Sequence, residues 1–342
     1  MITVYSDTHL LRNARTELYA GKLVPPHECP QRAQFVLDRV RDVRLGEIIA
    51  PSEHGMAPLL RVHDEAYVEF LANAWQEWLA AGYEADAIPD CWPARRMVKK
   101  CPTSIQGKLG YYAFAAETSI NAGFWEAARA AADVALTATD TLNAGGHSAF
   151  ALCRPPGHHA AYDLYGGYCF LNNAAIATQH LRDHGAARVA ILDVDFHHGN
   201  GSQDIFYERS DVLFTSIHGD PAEAFPYFLG YADETGSGDG AGYNLNLPLP
   251  RGCDFGRWRA ALELALARIR AFRPDAVVVS LGVDTYEDDP ISFFKLKSDD
   301  FTTYGEMIGA LKIPTLFVLE GGYAVAEVGV NVVNVLAGFE RT

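Results

Sequence analysis

The run Val189 to Tyr207, VAILDVDFHHGNGSQDIFY, holds the densest set of side chains able to do chemistry. Val-Ala-Ile-Leu has the character of a buried strand, and Asp193, Asp195 and His197 follow at alternate positions, on one face of an extended chain. Two carboxylates and an imidazole presented together, just before the turn-forming Gly199-Asn200-Gly201, make part of a divalent metal site. A polar strand end capped by hydrogen bonds is the plainer alternative for such a pattern alone. The run VVVSLGVD supplies a partner, because Ala276 to Leu281 is too apolar for anything but a buried strand and Asp284 follows its end. Asp195, His197 and Asp284 then form a two-aspartate, one-histidine set with coordination positions open for water and substrate, as in hydrolytic metal sites. Zinc suits such a set, and so do Fe(II), Co(II) and Mn(II). The acids Glu287, Asp288 and Asp289 just beyond read as solvated loop.

Two further stretches end strands in reactive groups. In Arg154-Pro155-Pro156-Gly157-His158-His159 the prolines and glycine dictate a rigid non-helical turn that projects paired imidazoles, suited to general base and general acid near neutral pH. Asp193 and Asn200 are placed to orient one imidazole each, since a base works best with its tautomer fixed by a second group. PTLFVLEGGY closes a strand in Gly321-Gly322-Tyr323, where a phenol hydroxyl can donate to a developing oxyanion. A core tyrosine after a turn is the alternative.

These groups need a scaffold that brings strand ends together. Strands are predicted at 3–5, 47–50, 149–152, 189–193, 212–216, 243–247, 276–281 and 315–319, with helices at 64–80, 172–184, 255–272, 300–311 and 324–339 and a helical pattern over 110–143 that breaks near Asn121-Ala122-Gly123. This alternation is the pattern of an α/β fold, a parallel sheet flanked by helices on both faces with its site at the carboxyl ends of the strands. Between residues 82 and 106 regularity lapses in a stretch with three prolines and the cations Arg95, Arg96, Lys99 and Lys100. Its apolar residues Ile88, Trp92 and Met97 need covering, which favours a lid or subunit contact over a solvated loop.

Residues 1–342 are expected to form one domain with that insertion. No apolar run is long enough to span a membrane, and MITVYSDTHLLRNARTELYAG lacks an export core, which points to the cytoplasm. The six cysteines follow no CxxC spacing and read as reduced thiols. A net charge of −15 argues against a nucleic-acid partner and favours cationic ligands.

The ordered motifs RPPGHH, GGYCFLNN, DVDFHHGNG, LGVD and EGGY resemble those of the zinc-dependent histone deacetylase superfamily, which shares the arginase-like α/β fold. LRNARTELY, the 82–106 insertion and HGDPAEAFPYFLGYADETG extend the likeness to its bacterial acetylpolyamine amidohydrolase branch. The resemblance implies zinc on Asp195, His197 and Asp284, His159 as general base and then acid, His158 as its electrostatic partner, and Tyr323 polarising the carbonyl. It implies structural potassium near Asp193, Asp195, His197, Ser216 and Ile217, aromatic walls at Tyr168 and Phe225, and a dimer contact in the insertion. Glu117 matches an acid near the tunnel mouth of that branch, while Gln106 stands where a second carboxylate belongs and Asn200 where many protein deacetylases have aspartate. The expected activity is deacetylation of acetylated polyamines or similar small cationic amines. The alternatives are an acetyl-lysine protein deacetylase and a catalytically silent protein that holds an acylated ligand.

Overall fold

The computed structural model describes residues 1–96 and 98–342, so Met97, named above among the apolar residues of the insertion, lies outside the described residues. The strands are β1 Ile2–Val4, β2 Glu17–Tyr19, β3 Lys22–Val24, β4 Ile48–Ile49, β5 Ser148–Ala151, β6 Val189–Asp193, β7 Val212–Gly219, β8 Asn244–Leu249, β9 Ala276–Leu281 and β10 Thr315–Leu319. The helices are α1 Gln31–Asp42, α2 Ala57–Leu60, α3 Glu65–Ala80, α4 Ile105–Tyr112, α5 Phe124–Asn143, α6 Asn173–Asp183, α7 Asn200–Phe206, α8 Phe255–Phe272, α9 Ser298–Gly309 and α10 Val325–Glu340.

Eight strands form one sheet in the order β4-β1-β5-β10-β9-β6-β7-β8, with every pairing parallel, and β2 and β3 form a separate hairpin. The apolar runs of the central strands follow from burial on both faces. Alternate residues serve opposite cores: Ile191, Val278, Leu316 and Val318 pack with α3, α5 and α6, whereas Leu192, Val277, Val279 and Phe317 pack with α1, α8, α9 and α10. Alanines 128, 131, 132, 135 and 138 let α5 lie close to the first of these layers. Helix starts carry side-chain caps where the chain supplies Asp or Asn: Asp64 accepts from Tyr67 N at 3.1 Å, Asn172 from Ala175 N at 2.9 Å and Asp254 from Arg257 N at 3.1 Å.

Several expectations need correction. The 110–143 pattern is two helices with an irregular segment between them, and the first begins at Ile105, inside the stretch read as insertion. Gly110 sits in that helix because the carbonyl of Cys91 packs against it and leaves no room for a Cβ. Asn200 starts α7 and Gly201 lies within it, where a turn was expected, and α1 lies where no element was predicted. β6 stops at Asp193, so Asp195 and His197 lie in a bend and do not share an extended face with it.

Candidate active site

The motifs converge because four strands that carry them lie side by side. β5 leads into the His158-His159 turn, β10 into Glu320 to Tyr323, β9 into Asp284 and β6 into Asp195 and His197, and these strands are neighbours in that order. Each chain end emerges at the carboxyl edge of the sheet, where the side chains meet at the bottom of a cavity of about 480 Å³.

Asp195, His197 and Asp284 are buried, and their ligating atoms lie within 4.8 Å of one another. His197 Nδ1 is 3.2 Å from Asp195 Oδ1 and 2.9 Å from Asp284 Oδ2. A Cβ on Gly282 would strike Asp195 Oδ2, and one on Gly321 would come within 2.5 Å of Asp195 Oδ2 and Asp284 Oδ2, so both glycines are what lets the carboxylates converge. Burial, followed by the Asp195 charge, pushes Asp284 up to about 8. Burial opposes ionisation of Asp195 too, but His158 and His197 outweigh it and hold this carboxyl below its ordinary range. Two buried carboxylates against one imidazole leave negative charge that a divalent cation would neutralise, and the N and O donors suit zinc among others. The cluster thus fits the metal implied by its residue types.

The adjacent histidines are driven apart electrostatically. His158 Nδ1 donates to Asp193 Oδ2 at 2.9 Å; burial pulls its pKa down, but Asp193 and Asp195 outweigh that and raise it to about 10. His159 is held well below its usual range by burial and by the neighbouring His158 and His197. Its Nδ1 lies 2.6 Å from Asn200 Oδ1, an acceptor, so Nδ1 carries the hydrogen and Nε2 keeps its lone pair. Asp193 and Asn200 thus each lie against one of the paired imidazoles.

Tyr323 is buried, with its phenol pushed well up by burial, so it remains a neutral donor. Its ring lies 4.7 Å beneath the guanidinium carbon of Arg32 and 5.5 Å from the ring of Tyr168. Tyr168 and Phe225 line the cavity together with Glu117, Tyr19, Ile291 and Phe293. Phe225 stands edge-on to the His159 ring at 5.1 Å. Tyr168 has φ +66°, a left-handed conformation costly for a tyrosine, and two bonds hold it there: Tyr168 N donates to Thr118 Oγ1 at 2.7 Å, and Gly167 N donates to Glu117 Oε1 at 2.6 Å. Glu117 therefore positions a wall, with one oxygen already engaged, and burial raises its pKa. Ser216, opposite Asp193 in the β6–β7 register, donates to or accepts from His218 Nδ1 at 2.8 Å, and Ile217 is buried beside it. Gln106, on the first turn of α4, is absent from the cavity lining.

Other residues that shape the site were not read from the sequence. Glu320 Oε2 accepts from Gly157 N at 2.7 Å and His158 N at 3.1 Å, fixing the paired-histidine turn. A carboxylate directly after a buried strand was the available signal. Asp289, expected in solvated loop, is buried, and its Oδ2 accepts from Tyr323 N at 2.7 Å and Ala324 N at 3.2 Å. Arg32 donates to the Gly322 and Glu320 carbonyls, and both Arg32 and Arg154 pair with buried Glu28 at 3.2 and 2.7 Å.

Residues 26–339 match the family described as the histone deacetylase domain. The chain is 58% identical to acetylpolyamine amidohydrolase 2 of Pseudomonas aeruginosa over 340 residues, 99% of each chain, and 56% identical to acetylpolyamine amidohydrolase of Mycoplana ramosa, again over 99% of each. The crystal structure of acetylpolyamine aminohydrolase from Burkholderia pseudomallei superposes with a TM-score of 0.95 at 39% identity, covering 99% of this chain and 98% of that one.

Proposed function

The chain belongs to the histone deacetylase family, and from that premise we propose that it is a zinc-dependent amidohydrolase that removes acetyl groups from acetylated polyamines or similar small amines. The observation that carries this reading is the buried Asp195, His197 and Asp284 cluster beside a neutral, oriented His159 at the floor of an aromatic-walled cavity. Asp195, His197 and Asp284 would hold the ion. When bound, it supplies Lewis-acid polarisation of the amide carbonyl and acidifies a water.

The chain's own groups do the rest. His159 accepts the proton of the attacking water at Nε2, because Nδ1 is committed to Asn200, and returns it to the nitrogen of the departing amine. His158, held cationic by Asp193, keeps His159 deprotonated beforehand and adds positive charge beside the negative charge of the transition state. Tyr323 donates its hydroxyl to the carbonyl oxygen as that oxygen becomes negative. Tyr168 and Phe225 hold the methylene chain of an elongated substrate and exclude water.

Potassium near Asp193, Asp195, His197, Ser216 and Ile217 is part of this reading; it is supported by the adjacency of Asp193 and Ser216 on paired strands. A cytoplasmic location is also proposed, consistent with the absence, among the described residues, of a helix long and apolar enough to cross a membrane. Neither nucleic acid nor membrane is expected as a partner, given a net charge of −15. The insertion serves a homodimer contact in this reading: Trp92 is exposed, Val98 is 89% exposed, and Arg95 lies 5.6 Å over the ring of exposed Phe228 beside the cavity mouth. Light scattering of the intact protein should give a dimer mass at micromolar concentration, with a monomer once residues 88–100 are shortened; a monomer for the intact chain would refute the contact.

The deciding assay compares N-acetylated polyamines, acetylated small amines and acetyl-lysine peptides on zinc-loaded protein. Faster turnover of the elongated small amines is expected. Faster turnover of the peptides would move the assignment to protein deacetylation, and hydrolysis of none would leave an acyl-ligand binder.

A further inference from the structure

A second group of metal-ligating side chains lies apart from the cavity, on the layer formed by α5, α6 and the segment after β4. His180 Nε2 on α6 is 2.8 Å from Asp140 Oδ1 on α5, and His54 Nε2 is 3.7 Å from Asp140 Oδ2. The three ligating atoms lie within 4.8 Å of one another. Two ligands at ~2.0–2.1 Å from a tetrahedral ion stand about 3.3 Å apart, near the 2.8 Å from His180 to one Asp140 oxygen and the 3.7 Å from His54 to the other.

The two imidazoles are prepared for the role. Thr137 Oγ1 accepts from Ser52 N at 2.9 Å and lies 3.1 Å from His54 Nε2, which holds the segment after β4 and the His54 ring against α5. The backbone of His54 is pinned by its N–H to Asp133 Oδ1 at 3.1 Å. His184 stacks near His180 with ring centroids 4.1 Å apart, and its Nδ1 donates to the His180 carbonyl at 2.8 Å, which leaves its Nε2 free. The histidine side chains are only 13% and 11% exposed, whereas the Asp140 side chain is 48% exposed, so an ion can enter from solvent and reach a half-buried nitrogen pair.

We propose that His54, Asp140 and His180 form a second divalent-metal site, selective for borderline ions such as Zn²⁺, Co²⁺ or Ni²⁺, that ties the segment after β4 to α5 and α6. Its role is structural. α6 opens with Asn172 and Asn173, whose side-chain amides donate to Ala160 O at 2.9 Å and Pro155 O at 3.1 Å on either side of the paired histidines, so fastening α6 stiffens the support of that turn. The inference does not rest on the assignment of substrate or reaction.

The test uses the full chain, stripped of metal and titrated with Zn²⁺ alone and Co²⁺ alone. The wild type should bind two equivalents, His180→Gln one and Asp284→Asn one, with the two single variants retaining different sites. In protein carrying its first equivalent, further Zn²⁺ should raise Tm by a few degrees in the wild type and not in His180→Gln or Asp140→Asn. Retained deacetylase turnover in His180→Gln would show that the variant is folded. A single equivalent in the wild type, or two in His180→Gln, would overturn the proposal, as would a Tm rise that persists in both variants.

Discussion

The floor of the cavity and its rim are built on opposite principles. At the floor, Asp193, Asp195 and Asp284 are fully buried and each meets a named partner, and even the backbone amides of Gly157, His158 and Tyr323 are assigned to carboxylates. At the rim, the lining residues Leu18, Tyr19 and Tyr227 are 38%, 45% and 50% exposed. Chemistry needs groups fixed to fractions of an ångström, which burial with satisfied hydrogen bonds supplies. Choosing among substrates needs area and shape, which loose apolar side chains supply, and changes there should move affinity more than turnover.

The sharpest break of that contrast comes at the metal cluster. Asp284→Ala should lose the ion and lower turnover by about 10³-fold or more, since the ion contributes several kcal/mol of charge stabilisation at ~1.4 kcal/mol per tenfold in rate. Metal content and rate should fall together, and chelation of the wild type should reproduce the loss; full activity in metal-free protein would remove the cluster from the mechanism. Next in size is Tyr323→Phe, which keeps the ring under Arg32 and deletes only the donor, with an expected fall in kcat of about 10²- to 10³-fold and a small change in KM. An unchanged kcat would make Tyr323 a core residue.

Beneath the rim, Glu17 gives a test through pH. Burial raises this carboxyl from 4.5 to about 7, and its side chain is only 1% exposed. A raised acid contributes stability that is fully present below 4.5 and lost as pH rises through about 7. Glu17→Gln should therefore gain on the wild type across that window, by up to about 3 kcal/mol. Urea midpoints for both proteins at pH 5 and pH 8 check this, and a constant gap would show that Glu17 does not titrate there. The smallest effect is expected for Glu117→Gln, which retains an oxygen to accept from Gly167 N but removes the charge. Loss of a partly buried contact of about 1 kcal/mol should raise KM for an acetylpolyamine about fivefold and leave a neutral acetamide of similar length unchanged. A fall in kcat for both substrates would instead place Glu117 with the floor.

The contrast also governs what could be read from the chain. β6, β9 and β10 have the bounds expected of them, because each is an apolar run closed by glycine or acid, and Asp195, His197, Asp284 and Tyr323 follow from those strand ends. α1 was missed although Ala33, Val36, Leu37 and Val40 keep helical spacing, since Pro30 opens it without a capping side chain and five charged residues punctuate its stripe. Asp289 was misread because sequence neighbours define its surroundings as a charged loop, whereas its partners are the backbone amides after β10. The Glu28, Arg32 and Arg154 network joins residues far apart in sequence and has no local signature. What local pattern encodes is a strand and its final side chain; what it leaves out is the partner from another strand that holds that side chain still.

The order of strands in the sheet has a further consequence during synthesis. His158, His159, Asp195 and His197 emerge from the ribosome well before Asp284 and Tyr323, and β6 lacks its β9 neighbour until the later segment arrives. A nascent chain therefore shows two of the three ligands with the third unmade, so capture of the ion and pairing of β6 with β9 become one cooperative event. Until then β6 keeps an open edge on the side that β9 will occupy, so unfinished chains are the form most exposed to chaperones and proteases.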